Sequence, residues 1–295
     1  MRKFFTASLV FCMLFSLLCT VSCSNNSDYK SRINSEVGFI YYFDNDTAEY
    51  IGNENERVYP ASITKLLTSL TALNYMSPDE LITPGDEVYL VQSGSSSAYI
   101  RPNHTLTLEM LIEGMIIPSG NDAAYATAAA CGYTLINNDS ASYTDAVDCF
   151  VSYMNQYAEV LGCTNTHFTT PDGFADSEHY SSLHDMLLIS KAACENSIIS
   201  KYAAMKEDNV IYASGHTNTW TNTNKLLDST SDFYHDGVIG LKTGSLDDNY
   251  SIIVLYENND KRYLIGLFGA KNDSERYKDA LTIIDYLRTL NTDNH

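Results

Sequence analysis

Basic residues are scarce in this sequence. Its 295 residues include 18 Lys and Arg against 37 Asp and Glu, which gives a formal net charge of −19. A surface with this excess of negative charge repels the phosphates of nucleic acids and of anionic lipid headgroups. The sequence therefore predicts no nucleic-acid partner, and it predicts that any membrane anchor is covalent rather than electrostatic.

Metal-binding motifs are also missing. The sequence contains neither Cys-x-x-Cys nor His-Glu-x-x-His, and we interpret His179 and His184 as structural residues. We therefore expect no metal and no cofactor. The cysteines beyond position 23 are Cys131, Cys149, Cys163 and Cys194. Disulfides among these four and buried free thiols remain equal alternatives, because three pairings are possible and the sequence favours none.

A long hydrophobic run occurs only at the N terminus. Two basic residues precede the apolar residues 4–21, and a small, polar stretch follows. This order is typical of a cleaved export signal rather than a membrane span. Cys23, at the junction, resembles the lipidated cysteine of a bacterial lipoprotein. We expect a signal peptide over 1–22 and a lipid-anchored polar tether over 23–36, with ordinary cleavage to a soluble product as the alternative.

Ser62 and Lys65 form the first candidate catalytic pair. Pro60 discourages helix before Ser62, and apolar residues recur at helical spacing after it, at Ile63, Leu66, Leu67, Leu70 and Leu73. We therefore predict a buried helix that begins at Ser62 and places Lys65 on the same face. A lysine can activate a serine when burial or another cation lowers its pKa. The same spacing at residues 27 and 30 lies in a polar stretch, so this pair alone would favour an ordinary helix start.

Two further motifs follow in a specific order. They are Ser119-Gly120-Asn121 and Lys242-Thr243-Gly244, the second being the only Lys-Ser/Thr-Gly tripeptide in the chain. Ser-x-x-Lys, Ser-x-Asn and Lys-Thr-Gly in this order form the set of penicillin-binding proteins and class A β-lactamases. Over roughly residues 37–290, including the segment 161–168, the chain resembles the low-molecular-weight penicillin-binding proteins, specifically the serine-type D-alanyl-D-alanine carboxypeptidases.

The resemblance implies a β-lactamase/transpeptidase-like fold of class α+β, in which an antiparallel sheet flanked by helices meets a mostly helical second lobe. The residue pattern itself indicates only mixed α and β structure. Strands are predicted over 37–43, 49–51, 237–243, 250–256 and 262–268, and helices over 107–117, 122–131, 147–161, 182–193 and 274–290. We expect residues 37–295 to form one catalytic domain with the active site between the lobes.

The resemblance also implies an acyl-enzyme mechanism. Ser62 is the expected nucleophile and Lys65 its base. Ser119 would relay a proton to the leaving group, while Asn121 would hold the substrate amide and fix Lys65. Lys242 would help to keep Lys65 neutral and would attract the carboxylate of the substrate.

Further substrate contacts are expected at the residues that follow Lys242. Thr243 would donate a hydrogen bond to the substrate carboxylate, and Gly244 would let the substrate lie close to the strand edge. The backbone N–H groups of Ser245 and Ser62 would form the oxyanion hole. Arg276 matches an arginine that assists carboxylate recognition in the family, with a surface ion pair as the alternative.

The expected function is therefore removal of the terminal D-alanine from peptidoglycan stem peptides outside the bacterial membrane, with β-lactam antibiotics as acylating ligands. The alternatives are a serine β-lactamase and a catalytically silent lipoprotein that binds wall peptide. The intact motif set argues against the silent protein, since a binding module needs neither nucleophile nor base.

Three departures from related sequences qualify this expectation. No segment after Asn121 matches the Glu-x-x-Leu-Asn loop of class A β-lactamases, so penicillin should deacylate slowly. Residues 246–250 are fewer and more acidic than usual, which is unfavourable for an anionic substrate terminus. Only 51 residues follow Gly244, so we expect no β-rich second domain of the kind that the family usually carries.

Overall fold

An antiparallel sheet with helices on both faces organises the computed structural model, which describes residues 29–136, 138, 140–174 and 177–292. Its strands are β1 (Val37–Tyr42), β2 (Thr47–Ile51), β3 (Arg57–Val58), β4 (Leu81–Ile82), β5 (Leu106–Thr107), β6 (Ser181–Ser182), β7 (Glu207–Ile211), β8 (Thr217–Thr221), β9 (Val238–Leu246), β10 (Asn249–Asn258) and β11 (Lys261–Ala270). Its α-helices are α1 (Thr64–Tyr75), α2 (Leu108–Ile116), α3 (Asn121–Ile136), α4 (Tyr143–Val160), α5 (Leu183–Glu195), α6 (Ser197–Ala203) and α7 (Asp273–Thr292).

The main sheet has the strand order β2-β1-β11-β10-β9, with every neighbouring pair antiparallel. Its central strands are apolar at consecutive positions because both faces are covered. Phe39, Ile253 and Leu264 belong to the core shared with the helical lobe. Ile40 and Ile265 face the other way, into a core completed by α7. The period-2 alternation of side chains along a strand therefore serves two cores at once.

The helical lobe is built around α1. Every residue from Thr64 to Ala72 is buried, because helices α2 to α5 contact α1 on its sides. Close packing elsewhere in the lobe depends on Gly132 of α3. A Cβ atom at this position would lie 1.9 Å from the carbonyl oxygen of Ala146 on α4. The α3–α4 contact is thus accessible to glycine alone.

The predicted elements are confirmed, with shifted ends. Ser62 does not lie in the α-helix itself. It lies in a 3-10 turn, Ala61–Ile63, that leads into α1, as is frequent at helix N-termini. The sequence reasoning missed α6 and the β7–β8 hairpin. That hairpin is mostly exposed and polar, and only Val210 and Trp220 along its two strands are buried, so its strands lack a clear apolar alternation.

Residues 29–36, which fall within the predicted tether, pack against the folded unit. The Tyr29 ring stacks on Tyr286 of α7 at 4.2 Å, and its hydroxyl donates to Glu49 at 2.7 Å. The backbone N–H and the hydroxyl of Ser35 both donate to Asp279 Oδ2 at 2.7 Å. The predicted signal peptide and Cys23 lie outside the described residues. Within the described part, no helix has the length and apolar character needed to cross a bilayer.

Candidate active site

Two glycines let distant segments close on the turn that carries Ser62. A Cβ atom on Gly173, which has φ +83°, would lie 1.9 Å from the carbonyl oxygen of Ala61. A Cβ atom on Gly244 of β9 would lie 2.8 Å from the carbonyl oxygen of Pro60. Both approaches require the absence of a side chain. The predicted role of Gly244 in admitting substrate therefore stands beside a structural role, which is to bring β9 against the turn that carries Ser62.

Lys65 is fully buried and is held by three oxygen atoms. Its Nζ lies 2.8 Å from Ser62 Oγ, 2.7 Å from Asn121 Oδ1 and 2.9 Å from the carbonyl oxygen of Asp172. The amide and carbonyl oxygens can only accept hydrogen bonds. A neutral amine has two N–H donors and one lone pair, so these two acceptors leave the lone pair for the Ser62 hydroxyl.

Burial lowers the pKa of Lys65 to about 8, while the negative charges of Asp172 and Asp122 act in the opposite direction. A substantial fraction of Lys65 is therefore neutral near pH 8, as a general base requires. Burial is the main cause of this shift. The further prediction that Lys242 keeps Lys65 neutral stays a prediction.

The loop that carries Ser119 and Asn121 is held by its neighbours. Ser119 is buried and has φ +62°, and Asn121 begins α3. The N–H of Asn121 donates to the carbonyl oxygen of Ser96 at 2.9 Å. Asp122 accepts hydrogen bonds from the N–H groups of Ala98 and residue 100, both at 2.8 Å. Within the described residues no hydrogen bond joins Ser119 directly to Ser62 or Lys65, so its role as a proton relay stays a prediction.

Lys242 is also buried, on the edge strand β9. Its Nζ donates to the carbonyl oxygen of Thr243 at 3.2 Å, and no other hydrogen bond of this group is found in the described part of the chain. Burial, together with the positive charges of Lys65 and Arg276, lowers the pKa of Lys242 well below its usual range. The site therefore contains a second amine with unused donors.

Thr243 is linked to a residue that the sequence reasoning did not single out. Its Oγ1 lies 2.6 Å from Thr223 Oγ1. The carbonyl oxygen of Thr223 accepts a hydrogen bond from the Tyr277 hydroxyl at 2.9 Å. Thr223 lies in a short polar segment after β8, where nothing in the sequence pattern distinguishes it from a turn residue. The sequence reasoning likewise does not single out Asp172, whose carbonyl oxygen accepts a hydrogen bond from Lys65.

Arg276 is buried beneath β9, so its interpretation as a surface ion pair is wrong. Its Nη1 donates to the carbonyl oxygen of Gly244 at 2.8 Å, to Ser245 Oγ at 3.0 Å and to the carbonyl oxygen of Ser251 at 3.2 Å. Its Nη2 pairs with Asp273. The guanidinium group therefore braces the strand that carries the third motif, and it adds positive charge there.

The remaining predicted features have clear positions. The acidic residues Asp247 and Asp248 form the exposed turn between β9 and β10, where solvent screens their charge.

The four cysteines Cys131, Cys149, Cys163 and Cys194 are free thiols. His179 is buried, and its Nε2 lies 2.9 Å from Thr64 Oγ1. The described residues contain no cluster of three or more His, Cys, Asp or Glu arranged to hold a metal ion.

Comparison with protein families identifies the group to which this site belongs. The family model described as D-alanyl-D-alanine carboxypeptidase matches residues 41–271, which include every motif above except Arg276. The chain belongs to the D-alanyl-D-alanine carboxypeptidase family. This membership confirms the resemblance drawn from the three motifs.

Individual relatives agree with this membership. The chain is 27% identical to the D-alanyl-D-alanine carboxypeptidase DacF of Bacillus subtilis, over 97% of this chain and 71% of that protein. The crystal structure of the Streptomyces K15 DD-transpeptidase matches with a TM-score of 0.76 and 27% identity, covering 86% of this chain and 97% of that one. Penicillin-binding protein D2 of Listeria monocytogenes, solved in an ampicillin-bound form, matches with a TM-score of 0.68 and 25% identity over the same shares. The predicted β-lactamase/transpeptidase-like fold is therefore confirmed.

Proposed function

We propose that this family member is a serine D,D-carboxypeptidase that removes the terminal D-alanine from peptidoglycan stem peptides. One observation carries the proposal: Lys65 Nζ lies 2.8 Å from Ser62 Oγ while two acceptor-only oxygens occupy its N–H groups. This arrangement directs a basic lone pair at a partly exposed serine hydroxyl. A nucleophile with its base in hydrogen-bond reach is the signature of covalent catalysis.

Acylation begins when Ser62 Oγ attacks the carbonyl carbon of the penultimate D-alanine and Lys65 takes its proton. The backbone N–H groups of Ser62 and Ser245 stabilise the resulting oxyanion. Ser119 relays a proton to the nitrogen of the leaving D-alanine, and the C–N bond breaks. Asn121 holds the substrate amide and keeps Lys65 in place. The products of this step are free D-alanine and a peptidyl ester on Ser62.

Deacylation returns the enzyme to its starting state. Water enters where D-alanine has left, Lys65 takes one of its protons, and the hydroxyl adds to the ester carbonyl. The C–O bond to Ser62 then breaks, and the serine oxygen regains a proton from Lys65. In the described residues no carboxylate is hydrogen-bonded to Ser62 or Lys65. Lys65 therefore serves as the base in both acylation and deacylation.

Recognition of the substrate carboxylate falls to the positively charged side of the site. Lys242 has unused donors, and pairing with an anion would favour its charged form. Thr243 offers its hydroxyl from the same strand. The buried positive charge of Arg276 adds to the electrostatic attraction of the site for the substrate carboxylate. Together these groups favour substrates with a free C-terminal carboxylate over internal peptide bonds.

β-Lactams should acylate the same serine and leave slowly. The ampicillin-bound form of the Listeria relative supports binding of this antibiotic class. After the ring opens, the former leaving amine stays tethered to the acyl group and obstructs the approach of water. The protein should therefore behave as a carboxypeptidase that penicillin blocks rather than as a β-lactamase.

The experiment compares two substrates on one preparation. Diacetyl-lysyl-D-alanyl-D-alanine should release D-alanine over many turnovers, whereas penicillin should be consumed in near-stoichiometric amount on the same timescale. Rapid multiple-turnover hydrolysis of penicillin without D-alanine release would establish a β-lactamase instead. Failure to react with either compound would contradict the proposal and favour the alternative of a catalytically silent protein.

We also propose that the protein is exported and attached to the outer face of the bacterial membrane through a lipid on Cys23. Support comes from the basic and apolar N-terminal segment and from the polar residues after Cys23. A Cys23→Ala precursor should lose the lipid and appear in the medium or remain unprocessed. A membrane-derived protein that starts at another residue and carries no acyl mass would overturn this assignment.

A further inference from the structure

Thr223 joins three parts of the molecule that meet at the candidate active site. Its N–H donates to the carbonyl oxygen of Ile117, two residues before Ser119, at 3.2 Å. Its carbonyl oxygen accepts from Tyr277 of α7 at 2.9 Å. Its hydroxyl oxygen lies 2.6 Å from that of Thr243 on β9. The backbone of Thr223 is therefore fixed by the helical lobe and by α7, while its side chain contacts the strand proposed to bind the substrate carboxylate.

The Thr243 hydroxyl has a different role from the neighbouring cations Arg276 and Lys242. Both Nη atoms of Arg276 already have partners, and its buried Nε has none among the described residues. Arg276 therefore supplies charge to the site while its Nη donors brace β9. On β9 itself, Thr243 and Lys242 are side chains that can donate a directional hydrogen bond to an incoming carboxylate.

The direction of the Thr223–Thr243 hydrogen bond decides whether Thr243 can do this. Each hydroxyl has one proton and can also accept hydrogen bonds, so either threonine can be the donor. If Thr243 donates to Thr223, its proton is used and it presents only lone pairs to a carboxylate. If Thr223 donates, the Thr243 proton is free for the substrate.

We propose that Thr223 is a positioning residue for the carboxypeptidase reaction. In the bound state the Thr223 hydroxyl donates to Thr243 Oγ1, and the Thr243 hydroxyl donates to the C-terminal carboxylate of the substrate. Thr223 thus acts through Thr243 to select substrates that end in a carboxylate. This inference rests on the proposed function and adds a specificity determinant to it.

The test uses variants that separate the hydroxyl from the shape of the side chain. Thr223→Val removes the donor at nearly constant volume, and Thr223→Ser retains it. Thr219→Val is the matched control, because Thr219 lies on β8 and its hydroxyl donates to exposed Asn209 at 2.7 Å. Each protein is assayed with diacetyl-lysyl-D-alanyl-D-alanine and with the same peptide carrying a C-terminal amide.

The wild-type protein must first release D-alanine from the acid peptide, because failure here refutes the proposed function rather than the role of Thr223. Thr223→Val should then raise KM for the acid peptide about tenfold, because the Thr243 hydroxyl loses the donor that orients its proton towards the carboxylate, and leave kcat within about twofold. The smaller reaction of the amide should change by less than about twofold. Thr223→Ser should restore the preference for the acid, and Thr219→Val should match the wild type.

Equal losses on acid and amide would overturn the proposal, since they would indicate a general disturbance of the site. An unchanged KM for the acid peptide would overturn it as well. If Thr223→Val does not fold, Thr223→Ala replaces it with the same expectations, and its melting temperature is compared with that of Thr223→Ser. A failure of Thr223→Ser to restore the acid preference would show that the hydroxyl is not the group responsible.

Discussion

Lys65 and Lys242 are two buried lysines of the candidate active site, and their surroundings differ sharply. Lys65 on α1 has three oxygen partners from three different segments. Lys242 on β9 has one, which is the carbonyl oxygen of its own neighbour. Burial lowers the pKa of both amines. Burial thus makes a lysine less basic, whereas its hydrogen-bond partners determine its chemical role.

The charges around the two lysines sharpen this difference. Asp172 and Asp122 act to raise the pKa of Lys65, whereas Lys65 and Arg276 act to lower the pKa of Lys242. Lys65 is thus fixed and poised between its charged and neutral forms. Among the described residues Lys242 has no anionic partner, and the carboxylate of a substrate would supply one.

The largest expected effect comes from the Lys65 side of the comparison. Ser62→Ala should abolish both D-alanine release and penicillin labelling, and Lys65→Ala should lower both by about 10³-fold or more, because nucleophile and base act as a unit. Lys201→Ala is the matched control, since Lys201 is exposed and paired with Glu109. Labelling of Ser62→Ala at the wild-type level would remove Ser62 from the mechanism.

On the Lys242 side, Lys242→Ala should lower kcat/KM for the acid peptide by about 10- to 100-fold, the range expected for a lost charge-assisted contact. Because burial is the main cause of the low pKa of Lys65, the rising limb of the pH–rate profile should stay near pH 8. A pH series of kcat/KM measures both quantities. Movement of that limb upward by more than about one unit would show that Lys242 is what keeps Lys65 neutral.

Asp172→Asn removes a negative charge that raises the pKa of Lys65 and so favours its charged form. The substitution keeps an acceptor for the N–H of Phe174, which donates to Asp172 Oδ1 at 3.1 Å. The wild-type rate should rise with pH through about 8 as Lys65 loses its proton. Removal of the negative charge should lower the pKa of Lys65 by about one unit, so the variant should gain activity at pH 7 by a few-fold and match the wild type at pH 9. An unchanged profile would mean that the Asp172 charge does not reach Lys65.

Of these variants, Arg276→Lys should change the activity least. The variant keeps the positive charge but loses the forked contacts to Gly244 and Ser251 that brace β9. Its melting temperature should fall by about 5 °C while KM for the acid peptide changes by less than about threefold. A large rise in KM at an unchanged melting temperature would indicate that Arg276 binds the carboxylate directly.

The sequence predicted much of this site because its chemistry is local. Helical spacing alone placed Lys65 beside Ser62, and motif order added Asn121 and Lys242. The partners that complete the site come from folding. The carbonyl oxygen of Asp172 reaches Lys65 because Gly173 has no side chain, and no sequence pattern predicts this contact. The burial of Arg276 likewise depends on a tertiary contact, between α7 and the β9 residue Gly244.

The helices and strands that the sequence predicts are likewise those with a strong local signal. Strands in the main sheet and long helices were predicted because their apolar periods are strong. The β7–β8 hairpin was missed because its strands are mostly exposed, and the mostly polar residues 29–36 carry no apolar period that would predict their packing. Only tertiary contacts, such as that of Tyr29 with Tyr286, give these segments a place in the fold.

Mass spectrometry of the intact protein and of its peptides after treatment with penicillin tests the central claim most directly. We expect a single, persistent penicilloyl adduct on the Ser62-containing peptide of the wild type, and no adduct in Ser62→Ala or Lys65→Ala over the same time. An adduct on another residue, or labelling of Lys65→Ala as fast as the wild type, would contradict the assignment of Ser62 as the nucleophile and Lys65 as its base.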